Sequence, residues 1–165
     1  MIRGLTGAAF ALVLTGAAMA DPAPLAGWDK IHFGMTGKAL VEAYPGVTWT
    51  EEAGDTPTAQ KRSFGIDLEG GAYVVSVILT SERVSRVTLT KVLAPGLDEA
   101  ACKAAFVPDE QRLRKQYGPP SDTVARGERW MLGGGSRVVI ANVLFQPDDG
   151  SPAQCLVTQG YYPAG

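Results

Sequence analysis

His32 is the only histidine in the 165-residue chain. One imidazole leaves too little material for a Ser-His-Asp or Cys-His nucleophile, or for the histidine-rich ligand sets of zinc and copper enzymes. Its neighbours Ile31 and Phe33 are apolar, so alternation in an extended segment sends its side chain to solvent. Asp67, Glu69 and Glu128 would make a paired-carboxylate hydrolase if the fold brought them together. Their spacing does not require that, and the simpler reading makes them polar positions of hairpins. Glu51, Glu52 and Asp55 crowd the turn-rich stretch from Val47 to Ala59, which reads as a loose acidic loop in preference to a weak cation site. Asp148, Asp149 and Ser151 read as a turn, since the closing glutamate of a calcium loop is missing. Gly133-Gly134-Gly135 lacks the Lys and helix of a phosphate-binding loop and reads as a hairpin turn. Trp28, Trp49 and Trp130 read as core in preference to pocket lining. No catalytic residue, metal or cofactor is expected.

Cys102 and Cys155 are the only cysteines, and their pairing depends on the compartment. Arg3, the apolar run Leu5 to Leu14 and Ala18-Met19-Ala20 have the order of a secretory signal peptide over residues 1–20, cleaved after Ala20. An oxidising destination, a bacterial periplasm or the exterior, makes one disulfide the expected state. On the chain-entropy model that bond contributes about 4 kcal/mol. No Cys follows the cleavage site to carry a lipid, and no later run is long enough for a membrane span. Loss of Arg3 from 15 basic residues against 17 acidic ones leaves a net charge of about −3, which disfavours nucleic acid and anionic membrane as partners. Residues 21–165 suit one domain.

The elements that must position these residues centre on Tyr73 to Leu93, two runs rich in Val, Ile, Thr and Leu interrupted by Ser81-Glu82-Arg83. They predict a β-hairpin with an odd-numbered loop, which sets Tyr73, Val75, Val77 and Leu79 on one face with Val87 and Leu89. The other face then carries Val74, Ser76, Ile78, Val84, Arg86, Thr88 and Thr90. Upstream, residues 21–27 read as a loose arm and 28–33 as a short strand. Thr36 caps a helix with apolar positions Leu40, Ala43 and Tyr44, stopped by Pro45-Gly46. Phe64, Ile66 and Leu68 alternate as a strand turning at Gly70-Gly71. Downstream, Asp98 caps a second helix with Cys102 and Phe106 on one face, which Pro108 kinks or restarts. Trp130-Met131-Leu132, three glycines, Arg137 to Phe145 and Gln154 to Tyr161 then mirror the first half. The expected fold is α+β: two tandem helix-plus-three-strand units, about residues 28–93 and 97–162, forming an antiparallel sheet with helices packed on one face.

Ile31-His32-Phe33-Gly34-Met35-Thr36, leading into a helix that ends Ala43-Tyr44-Pro45-Gly46, resembles the opening of the small BamE-type outer-membrane assembly lipoproteins. Leu113 to Pro120 followed by Trp130 resembles their helix end and first strand. Tandem use of the unit resembles the β-lactamase-inhibitor-protein-like fold, which implies a curved sheet backed by helices, with an open face that grips a partner protein. The chain departs from both patterns: it lacks the N-terminal lipidated Cys of the first and has one possible disulfide where the second usually has two. No contact residue transfers by motif.

The function expected is therefore that of an exported, non-catalytic binding module whose sheet face away from the helices engages a protein partner. Applying the same alternation to both halves assigns that face Val74, Ile78, Arg86, Thr88, Val138, Ile140, Asn142 and Leu144, an apolar patch rimmed by polar groups. The alternatives are a small periplasmic hydrolase or small-molecule carrier with an aromatic-lined pocket, and an envelope-assembly accessory. Cys102 is expected on the sheet side of the second helix with Phe106, and Cys155 on the helix side of the last strand with Val157, so that the bond ties one to the other.

Overall fold

The computed structural model describes residues 22–165; the signal-peptide reading of residues 1–20 falls outside them. Gly27–Trp28 (β1) and Ile31–His32 (β2) pair as a two-stranded ribbon, folded at Asp29, whose φ of 50° is left-handed. The single strand expected over residues 28–33 is thus a tight ribbon. The arm before it is tied down: Leu25 N donates to Ser136 Oγ at 2.8 Å, and Pro24 bridges to Gly133. Thr36 Oγ1 accepts from the Ala39 N–H and opens α1, Gly37–Ala43, which buries Leu40. Pro45 and Gly46, the latter at φ 90°, prevent its continuation.

Thr50–Ala53 (β3), Ala59–Leu68 (β4), Gly71–Thr80 (β5) and Arg83–Val92 (β6) form one antiparallel meander. After α2, Glu99–Tyr117, the strands Asp122–Val124 (β7), Gly127–Met131 (β8), Arg137–Phe145 (β9) and Gln154–Tyr162 (β10) form another. The meanders join at β6 and β10 into a single eight-stranded sheet, ordered β3-β4-β5-β6-β10-β9-β8-β7, antiparallel throughout. Asp98 caps α2 through the Ala101 N–H at 2.7 Å, and the helix runs through Pro108 without a break to Gly118, at φ 80°. It lies across β9 and β10, where Cys102 and Cys155 form the disulfide with Cα atoms 5.6 Å apart.

The reading as two helix-plus-three-strand units is overturned. Among the described residues the fold is mostly β, with one eight-stranded sheet, a separate two-stranded ribbon and two helices, of seven and nineteen residues. Charge explains the strands that the apolar pattern missed. The stretch read as an acidic loop contains β3, where Glu51 and Glu52 face Arg62 and Lys61 on β4 and pair with them at 2.9 and 2.7 Å. Asp122 likewise pairs with Arg129 across β7 and β8. Opposite charges directly across a ladder stabilise an edge pair without any hydrophobic alternation.

One face of the sheet is core. A row of paired residues, Val77, Val87, Tyr161, Val138 and Trp130, crosses five strands, and each is at most 1% exposed. The β5–β6 turn has two residues, Ser81 and Glu82, both at positive φ, and not the expected three. A register shift between Ile78 and Leu79 restores the parity, leaving Ser85 unpaired. The faces of Tyr73 to Leu79, Val87 and Leu89 therefore stand as read. Val84, expected on the other face, sits before the bulge, pairs with Leu79 and is buried.

Parity on β9 is reversed, whereas Cys155, Val157 and Tyr161 on β10 face the helix side as expected. Ser136, fully buried, is consumed by the β8–β9 turn: its N–H and Oγ both bond to Gly133 O. Tyr73 follows its glycine pair by two residues, whereas Val138 follows Gly135 by three. That single extra residue turns Val138, Ile140, Asn142 and Leu144 onto the helix side, opposite Tyr161, Gln159, Val157 and Cys155. Val138 and Ile140 are core residues.

Candidate functional site

The helix-free face is the first candidate. Thr50, Ser63, Ser76, Thr88, Gly160, Val139, Arg129 and Asp122 form an unbroken row of pairs across all eight strands. Beside it run Gly65, Val74, Thr90, Thr158 and Ala141. The centre of this face is thus built of small side chains and hydroxyls. Apolar side chains lie beyond it: Val92 pairs with Leu156 and Leu156 with Val143, followed on β9 by Phe145. Val74 is 42% exposed, Val92 57%, Val143 38% and Phe145 54%.

Of the eight residues assigned to this face from sequence, Val74, Ile78, Arg86 and Thr88 lie on it. Ile78 is buried, and Arg86 is held by Asp55 from the β3–β4 tip. Val92, Val143, Phe145 and Met131 were missed: Val92 continues the unshifted alternation of Thr88 and Thr90 on β6, Val143 and Phe145 follow the β9 alternation shifted by one residue, and Met131 alternates with the core residue Trp130 on β8. Arg137, also on this face, stacks over the Tyr162 ring at 4.4 Å.

The second candidate is a groove of about 520 Å³ on the opposite side, between α2 and β7–β9. Phe106, Val107, Val124 and Leu144 supply apolar wall, and Glu110 and Glu128 lie along it. Asn142 and Leu144 belong here and not on the open face. Arg114 bridges the two acids, donating through Nε to Glu110 at 2.9 Å and through Nη2 to Glu128. Burial, and then the Glu110 carboxylate, push the Glu128 carboxyl above the usual glutamate range.

A third cluster lies in the core between α2 and the sheet. Asp109, 2% exposed, accepts from Tyr73 Oη at 2.7 and 2.9 Å, Lys91 Nζ at 2.9 Å, Arg112 Nη2 at 3.1 Å and Gln159 Nε2 at 3.1 Å. Gln159 in turn accepts from Arg112 at 2.8 Å and Tyr161 at 3.1 Å. Burial pushes the Asp109 carboxyl up, but the hydrogen bonds from Tyr73, Lys91 and Arg112 outweigh it and hold the group below the usual aspartate range. Burial and Asp109 push the Tyr73 hydroxyl well above its ordinary value. With both carboxylate oxygens occupied, the cluster has no free lone pair aimed at a substrate. It is a polar staple between helix and sheet.

The other sequence candidates do not assemble. Asp67 and Glu128 are five strands apart on opposite faces, about 24 Å at ordinary strand spacing. His32 is exposed on β2. Trp130 is core, its Nε1 donating to Gly118 O at 2.9 Å. Trp49 packs on Tyr44 and Phe64, and Trp28 on Tyr161, so the three indoles line no common cavity. Ser151 N donates to Asp149 Oδ1 in a turn, and Gly134 and Gly135 take positive φ between β8 and β9. Among the described residues no three His, Cys, Asp or Glu side chains gather as a metal site, and no helix is long and apolar enough to cross a membrane.

Comparison of the chain with protein-family models, curated proteins and solved structures finds no match. Nothing in them identifies the BamE-type relation suggested by the opening motif or the inhibitor-like relation suggested by the tandem unit.

Proposed function

We propose that the protein is an exported, non-catalytic binding module that engages a protein partner through the helix-free face of its sheet. One observation carries this reading: the partly buried hydroxyls of Ser76, Thr88, Thr90 and Thr158 adjoin a patch in which Val92, Val143 and Phe145 stand 38–57% exposed. Soluble chains seldom leave such a contiguous apolar patch to water without a use for it. A centre of small side chains admits a convex partner, and the flanking apolar groups supply the area that desolvates on contact. Small-molecule chemistry in an aromatic-lined pocket draws less support: Trp130, Phe64 and Tyr73 are core, and Trp28, Tyr117 and Tyr161 meet only in a surface pocket shared with Asp29 and Arg112.

The test compares cross-linked periplasmic partners of the wild type with those of Phe145→Asp and Val92→Asp, and with a control changed on α1, Lys38→Glu. The reading expects proteins captured by wild type and control alike, yet lost by both face variants at unchanged melting temperature. Identical capture by all four proteins defeats it.

A further inference from the structure

The groove beside α2 lies on the other side of the sheet from the proposed partner face, and its acids are not balanced. Glu110 and Glu128 share the single guanidinium of Arg114, leaving one negative charge uncompensated when both are ionised. The remaining charges on the groove wall are Glu99 and Lys103 on α2 and Arg126 in the β7–β8 turn. Neither Lys103 nor Arg126 comes within ion-pair distance of Glu110 or Glu128, whose salt bridges are to Arg114 alone. Glu128 is 9% exposed, and its Oε2 is buried with no hydrogen-bond partner. A buried acceptor left unmade carries its full desolvation penalty, larger still when charged, so this oxygen calls for a donor. At a pH below the Glu128 titration, which burial and the Glu110 carboxylate raise, that donor is a proton. Above the acids, Phe106, Val107, Val124 and Leu144 form an apolar wall around about 520 Å³, within the size range of small-ligand sites.

We propose that this groove binds a small apolar molecule ending in a primary ammonium group, its body against Phe106, Val107, Val124 and Leu144 and its head between Glu110 and Glu128. The ammonium supplies both the missing charge and the missing N–H donors. It takes over the position of the proton, which leaves to solvent, so binding releases up to one proton and tightens as pH rises through the Glu128 titration. Glu110, 22% exposed in its side chain, is the group the head meets first; the Glu128 carboxyl turns toward it as the proton departs.

Decylammonium is the probe, with decanoate and decyltrimethylammonium as controls of equal tail length, titrated below their aggregation limits by calorimetry in two buffers of different ionisation enthalpy. The expected result is saturable one-to-one binding of decylammonium with proton release. Decanoate carries the opposite charge and decyltrimethylammonium lacks the N–H donors, and each should bind at least tenfold more weakly. Glu128→Gln should weaken decylammonium about tenfold to a hundredfold, the worth of a charged hydrogen bond, and abolish the proton release. Glu110→Gln, at a less buried position, repeats the test should Glu128→Gln lower the melting temperature. Any of three results overturns the proposal: no saturable binding, equal binding of decanoate, or unchanged affinity and proton release in both variants.

Discussion

Asp109→Ala is the substitution with the largest expected effect on stability. It removes the acceptor shared by Tyr73, Arg112, Gln159 and Lys91. The Lys91 side chain, 8% exposed, is left with Gly70 O at 3.3 Å as its hydrogen-bond acceptor and the Tyr73 ring at 5.4 Å. Arg112 is 36% exposed and can turn to water, so the loss is dominated by the stranded ammonium. Removing one partner of a buried ion pair costs about 3–5 kcal/mol. At about 2–4 °C per kcal/mol for a chain of this size, the melting temperature should fall by roughly 12 °C. Changing both partners, Asp109→Leu with Lys91→Met, should recover most of that loss, because a buried pair exchanged for packed apolar groups is often neutral or better. Urea unfolding followed by tryptophan fluorescence at pH 7 measures all of these variants. The reasoning fails if Asp109→Ala loses less than about 1 kcal/mol, or if the double variant is as weak as the sum of its singles. Acid adds a second reading. The folded Asp109 carboxyl lies below its unfolded value of about 4, so its contribution is complete above that pH and drains away as pH falls through the lower folded value. Asp109→Ala should therefore lose less stability than the wild type on acidification below about pH 4.

Three further outcomes follow from packing. Cys155→Ser opens the bond that closes 53 residues and should lower stability by about 4 kcal/mol on the chain-entropy model; an unchanged urea midpoint would refute that role. Ile140→Ala should cost about 2–5 kcal/mol, while Val143→Ala on the same strand but the other face should stay within about 1 kcal/mol, and comparable losses would contradict the assigned parity. Gly127→Ala places a Cβ 1.8 Å from Ile140 O, so β8 must part from β9; hydrogen exchange should quicken at Glu128 and Trp130, whose backbone groups face β9, and unchanged protection would count against the pairing.

The sequence was most readable where one face is purely apolar. Tyr73 to Leu79 and Val87 to Leu89 state their own alternation, so the faces were right even though the turn had two residues and a bulge at Ser85 in place of three. The second half offered no such check. Val138 to Phe145 contains apolar side chains at both parities, and its face follows only from analogy with Tyr73 and its glycines. Ser136, drawn into the turn by Gly133 O, shifted the count by one. The edge strands β3 and β7 were unreadable for a different reason: their pairing energy is charge against charge, and a Glu opposite a Lys leaves no trace until the partner strand is known. Neither the Glu110–Arg114–Glu128 bridge nor the apolar groove beside it follows from spacing, since both depend on how α2 crosses the sheet.

The Asp109 cluster is different, because its signal was present in each element as an interruption of pattern. Cys102, Phe106 and Leu113 mark the buried stripe of α2, and Asp109 falls on that stripe with them. Val87, Leu89 and Lys91 alternate inward on β6, and Val157, Gln159 and Tyr161 do so on β10. Taken alone, each polar residue counts against its own element, since burying an unpaired charge or amide is costly. Taken together, an acid, a base and an amide in adjacent inward positions cancel one another's cost and remain bonded only when helix and strands meet in one register. A one-residue slip of β10 would send Gln159 to the open face and leave Asp109 short of a donor. The polar interruptions therefore select against misregistered packings that the apolar residues alone would tolerate. That selection predicts that the double variant carrying Asp109→Leu and Lys91→Met, though near wild type in stability, should show broader side-chain NMR signals around Val157 and Tyr161 than the wild type; equally sharp signals would mean that the apolar packing fixes the register unaided.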